Sequence, residues 1–249
     1  MRHCKNCGKA LHDSYCGHCG QKALVDRITF SYLLHEIIHF FMHVEKGFLF
    51  TSLQMLKSPG KTVKDFIDGK HKSYQSPISY FLIWITIYIL FLYLVQEIFG
   101  ENIAINYKEY FGPSATTKFA ITHLGFVLTI IIPFQALYLF LLVTRGFYNY
   151  FETMAASIYS LGTIILLQFV FAIVAVIIYL ISSVSIDLRV SDLLKVFYLT
   201  WFIISVIKLF PVKIKFLRAI AFLILAFGTF TVWRLYGFAA IADWFFLKK

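Results

Sequence analysis

The sequence predicts an all-α integral membrane protein: about five transmembrane helices preceded by a small N-terminal four-cysteine head and an interfacial amphipathic helix. Three observations carry that expectation. Of 249 residues, 59% are hydrophobic and only 14% charged, with a mean hydropathy of +0.75. A soluble domain averages about 45–50% apolar and about 25% charged, so a water-soluble globule is excluded. Long apolar runs fill the chain beyond residue 76, and all four cysteines fall within the first 20 residues. The 28 Phe and 15 Tyr against 5 Pro also exclude a disordered chain, which lacks apolar surface to bury. The expected units are residues 1–24, 25–76 and 77–249.

The head reads Cys4-Lys5-Asn6-Cys7-Gly8 and Cys16-Gly17-His18-Cys19-Gly20. Each C-x-x-C-G turn places two thiolates on one side of a tight loop, and the glycine tolerates the bend. Together Cys4, Cys7, Cys16 and Cys19 complete a tetrahedral shell for Zn²⁺, in the manner of a minimal zinc ribbon. Arg2, Lys5, Lys9 and Lys22 are placed to offset the excess negative charge of four thiolates. A full shell leaves no open position, so the metal is expected to be structural, folding a segment too small for its own core. Iron is the main competing ion. A disulfide pair does not suit a cytoplasmic segment, and a redox motif does not explain two glycine-ended copies.

Residues 29–46 predict an amphipathic helix. At 100° per residue, Tyr32, His35, Glu36, His39, His43 and Lys46 share one arc, and Phe30, Leu33, Leu34, Ile37, Phe41 and Val44 fill the other. One face is too polar for a span, so the helix is expected in the membrane interface or against the bundle. Within it, His35-Glu36-Ile37-Ile38-His39 matches H-E-x-x-H, in which two histidines hold Zn²⁺ and the glutamate is the general base. His43 lies about 12 Å along the axis from His35, too far to complete one three-point site on a straight helix. The preferred reading is a polar interfacial face. A second metal site at His35, His39 and His43, or hydrolase chemistry with Glu36 as catalytic base, is the alternative.

Phe48 to Leu56 is apolar with a few polar positions, Ser58-Pro59-Gly60 interrupts it, and Lys61 to Asp68 reads as a short helix closed by Gly69. Lys57, Lys61, Lys64, Lys70 and Lys72 form a basic collar suited to anionic headgroups. The bilayer explains this placement without nucleic acid.

A bilayer core about 30 Å thick needs about 20 apolar residues per helix. The five runs are Ile78 to Phe99, Phe119 to Val143, Ile158 to Ser183, Leu193 to Phe210 and Phe216 to Ala242. They are continuous rather than alternating, which favours helices over a barrel. Lys195 and Lys208, near the ends of the fourth, are expected to snorkel. Gly125, Gly162 and Gly228 suggest close helix packing, and Gln135 and Gln168 suggest interhelical hydrogen bonds. His123, Arg234 and Asp243 are the other polar exceptions.

Residues 1–27 contain no apolar signal core. Residues 1–76 hold 11 of the 23 Lys and Arg, and Arg145, Lys208, Lys213, Lys215 and Arg218 join them on one side, against Lys108, Lys118, Arg189, Lys248 and Lys249 on the other. The positive-inside rule then sets the N-terminus in the cytoplasm.

The double C-x-x-C-G head ending in Gly20-Gln21, then His35-Glu36, His39, His43-Val44-Glu45-Lys46-Gly47-Phe48, Thr51, Ser58-Pro59-Gly60 and Gly69-Lys70, resembles the bacterial membrane family catalogued as domain of unknown function 3667. His71 stands where that resemblance leads one to expect arginine. The resemblance implies a zinc-ribbon head on a membrane domain and a shared role for His35, Glu36, His39 and His43, without an established activity. The expected function is a non-enzymatic module that contacts the lipid bilayer and, through the ribbon, a cytoplasmic protein partner. A metallohydrolase and a small-solute or ion transporter are the alternatives.

Overall fold

The computed structural model describes residues 2–25, 27–34, 47–99, 105–106, 124–184, 186–187, 190–233 and 236. In the head, β1 (Arg2–His3) pairs antiparallel with β2 (Ala10–Leu11), Arg2 opposite Leu11. Residues 30–34 are helical, as the amphipathic pattern requires. Then come α1 (Phe48–Lys57), α2 (Pro59–Ile67) and α3 (Pro77–Phe99). Next are β3 (Ile105–Asn106) and α4 (Leu124–Leu139), which continues as a π-helical turn over Phe140–Thr144. The chain closes with α5 (Tyr150–Ser182), β4 (Ile186–Asp187), α6 (Val190–Ile207) and α7 (Lys215–Val232).

Among the described residues, α3, α5, α6 and α7 are long and apolar enough to cross a membrane, and Leu128–Thr144 is a shorter apolar helix. These correspond to the five apolar runs. Residues 119–123 of the second run and most of residues 233–242 of the fifth lie outside the described residues.

Helix α5 is the axis of the bundle, packing against α3, α4 and α6, with α7 leaning on α4 and α6. Its 33 residues extend about 50 Å, well beyond an apolar core of about 30 Å. The N-terminal two thirds are buried, and its last turns, with Leu180 and Ile181, are exposed. Asn149 and Glu152 start α5 with a reciprocal capping box, which satisfies two otherwise orphaned backbone donors.

Polar residues join the helices. Gln135 donates to Ser160 Oγ at 3.2 Å, and Gln168 to the Ser191 carbonyl at 3.4 Å, as expected for buried amides. Tyr80 and Thr163 hydroxyls lie 3.1 Å apart. The Lys195 ammonium pairs with Asp192 at 2.7 Å and lies over the Phe230 ring. Gly162 abuts Tyr80 and Phe81, as expected for close packing, whereas Gly228 has no described neighbour within 4 Å of a Cβ position.

The α1–α2 hairpin lies across the end of the bundle that carries the head. At its start, Thr51 Oγ1 accepts from the Gln75 N–H at 2.8 Å, Ser52 Oγ accepts from the Trp84 indole at 3.2 Å, and Phe48 and Trp84 rings sit 5.0 Å apart. At its tip, the Leu56 carbonyl accepts from the Trp201 indole, and the Gly60 N–H donates to Ser205 Oγ at 3.0 Å. A Cβ at Gly60 would collide with the Ser205 carbonyl, so only glycine lets the two backbones approach this closely. Pro59 occupies the first turn of α2, where its missing N–H costs nothing. Ser58-Pro59-Gly60 therefore bends the hairpin and docks its apex.

Candidate metal centre

The two knuckles repeat one geometry. Gly8 N–H donates to the Cys4 carbonyl and Cys4 N–H to the Lys9 carbonyl; Gly20 N–H donates to Cys16 and Cys16 N–H to Gln21, all at 2.8 Å. Gly8 and Gly20 adopt φ of +76° and +71°, the left-handed region that disfavours a Cβ. The β1–β2 pair closes the first knuckle, and a Tyr15–Lys22 bridge closes the second.

The four Sγ atoms lie within 4.8 Å of one another, with Cys4–Cys19 and Cys7–Cys16 separations of 3.6 Å. A disulfide bond requires about 2.05 Å, and all four cysteines are free. Thiolates bound to zinc at about 2.3 Å form a tetrahedron with edges of about 3.8 Å, so the spacing suits one ion. Backbone N–H groups of Cys19 and His18 hold Cys16 down to about 6, and the Cys7 backbone does the same, in direction, for Cys4. The Lys9 backbone acts likewise on Cys7, but burial and three crowding thiols together push Cys7 up to about 11. A metal ion among the four sulfurs would reverse that effect on Cys7, because a coordinating thiol loses its proton.

The head is docked, not pendent. Asn6, inside the first knuckle, accepts through Oδ1 from the Ser73 N–H at 3.2 Å and hydroxyl at 2.8 Å. Gln21, directly after the second, is buried and accepts through Oε1 from the Lys72 N–H at 2.9 Å. Each knuckle thus grips the turn between α2 and α3. In that turn His71 stacks on Phe66, ring centroids 4.4 Å apart. Burial, with Lys5 nearby, pushes the His71 imidazole below its ordinary range.

A second tether follows the head. Arg27 binds both carboxylate oxygens of Glu152, and the Asn149 side-chain amide donates to the Ile28 carbonyl at 3.1 Å. Sequence reasoning missed Asn6, Gln21, Ser73, Arg27 and Glu152. Only one had a local signal: Asn149 followed three residues later by Glu before an apolar run is a readable helix start. His35, Glu36, His39 and His43, like His123, Arg234 and Asp243, lie outside the described residues.

These features define a membrane-embedded helical bundle with a docked four-cysteine head competent to hold a metal. Residues 45–89 match the family model described as Protein of unknown function (DUF3667), which bears out the resemblance over that segment. The match covers the hairpin, the turn that receives the head and the first half of α3. No curated protein and no solved structure matches the chain.

Proposed function

We propose that the chain is a non-enzymatic module of the bacterial inner membrane, its head on the cytoplasmic side, held by structural Zn²⁺ and serving as a rigid contact surface for lipid and a protein partner. The observation that carries the reading is the convergence of four Sγ atoms within 4.8 Å in a unit gripped at Asn6 and Gln21. A closed thiolate shell leaves no coordination position for substrate. Free thiols favour a reducing compartment, and the excess of Lys and Arg on the head side favours the cytoplasm.

Counting metal in the purified full-length chain tests this. One Zn²⁺ per chain is expected, lost in Cys4→Ser or Cys16→Ser and kept in His35→Ala. Two ions falling to one in His35→Ala would overturn it in favour of hydrolase chemistry at Glu36.

A further inference from the structure

We propose that the junction where the α1–α2 hairpin meets α6 binds one anionic phospholipid, its phosphate held by Lys57, Lys61 and Lys208 and its acyl chains lying along the exposed apolar side chains of α1 and α6. This deepens the lipid-contact reading above and rests on it.

The three lysines converge because of the hairpin's docking. Gly60 sits directly on Ser205; Lys57 and Lys61 flank that apex, and Lys208 is one helical turn beyond Ser205, on the same side. All three are exposed, and among the described residues no carboxylate pairs with them. Their neighbours behave differently: Lys64 is paired with Asp68 and Lys70 with Asp65. Three uncompensated ammonium groups at one corner repel one another unless an anion joins them.

The same corner opens onto apolar surface. Leu53 and Leu56 of α1 are exposed, as are Phe197, Trp201 and Ile204 of α6, which follow at helical spacing towards Lys208. Trp201 is 42% exposed and its indole donates to the Leu56 carbonyl, an amphipathic ring of the kind that anchors to headgroups. A soluble anion would leave these flanks uncovered, and a zwitterionic headgroup would bring its own cation to the lysines. A negatively charged head with hydrocarbon chains satisfies both halves of the site.

The test uses the full-length protein in detergent and in nanodiscs, with native mass spectrometry to count retained lipid. Wild type is expected to retain one phosphatidylglycerol in preference to phosphatidylcholine. At about fivefold per charge, the triple variant K57Q/K61Q/K208Q should weaken retention on the order of 100-fold, while K213Q/K215Q, on the connection to α7, leaves it nearly unchanged. Equal retention of phosphatidylcholine, or losses that track only the number of charges removed in either variant, would overturn the site. Displacement by millimolar inorganic phosphate would overturn the lipid in favour of a free anion. Zinc content measured on the same samples separates the outcomes: lost lipid with the metal retained speaks to this junction alone.

Discussion

Arg27 and Glu152, 125 residues apart in sequence, meet in a two-pronged ion pair, with Nε and Nη2 donating to the carboxylate at 2.8 and 2.7 Å. The pair is lopsided: the Glu152 side chain is 4% exposed and that of Arg27 66%. Glu152 also accepts from the Asn149 N–H, so a single carboxylate starts α5 and fastens the segment that follows the head.

Replacement of Glu152 is therefore expected to cost more than replacement of its partner. Glu152→Ala removes both cap and pair, a loss of about 2 kcal/mol. Arg27→Ala should cost less, because water already screens the guanidinium and the Glu152 carboxylate keeps its bond from the Asn149 N–H. Thermal unfolding in detergent checks the order, and equal midpoints for both variants would refute the buried role of Glu152.

Metal removal is expected to free the head from its turn. The acceptors that grip Lys72 and Ser73 belong to, or adjoin, the knuckles, so chelation should expose Lys70 and Lys72 to trypsin. Asn6→Ala and Gln21→Ala should raise cleavage at the same lysines while the zinc remains. Limited proteolysis followed by mass spectrometry reads both effects.

The apex glycine should not accept a side chain. Gly60→Ala forces α2 off the Ser205 backbone, and overpacking of this kind costs about 1–3 kcal/mol. Gly228→Ala meets open space and should be neutral or slightly stabilising through helix propensity. Comparing the two unfolding midpoints checks the contrast.

Acid should loosen the head's docking turn. The His71 imidazole is depressed in the folded chain, so below its ordinary value of about 6.5 the unfolded state binds a proton that the buried ring resists. Stability contributed here is intact above about pH 6.5 and declines as pH falls towards the folded value. Protection factors of the Lys72 and Ser73 amides, corrected for the intrinsic slowing of exchange in acid, should fall between about pH 7 and 5, and His71→Phe should flatten that dependence.

Much of the architecture was legible because its causes are local. The Cys4–Cys7 and Cys16–Cys19 spacings imply knuckles on their own, and continuous apolar runs imply helices wherever they later pack. The hairpin was legible in its parts, since Pro59, Gly60 and Gly69 punctuate it. Its destination was not. Whether Gly60 meets Ser205, or Asn6 meets Ser73, depends on which faces of distant helices come together, and hydrophobic periodicity does not encode that register when a helix is apolar all round. The same limit explains why Gly162 and Gly228 look alike in sequence, yet among the described residues only the first touches a neighbour. Lys195 differs again, since its partner Asp192 stands three residues away and a closer look at i,i+3 charge spacing would have found it.

The hairpin spanning from Trp84 to Trp201 acts as a crossbar on one rim of the barrel-like bundle. Among the described residues, the opposite rim has no such brace and is held by the two-residue pairing of Ile105–Asn106 with Ile186–Asp187, the Phe99–Tyr179 ring contact and Lys195 over the Phe230 ring. Any breathing of the assembly should accordingly resemble a clothes-peg, pivoting at the braced rim and gaping at the far one.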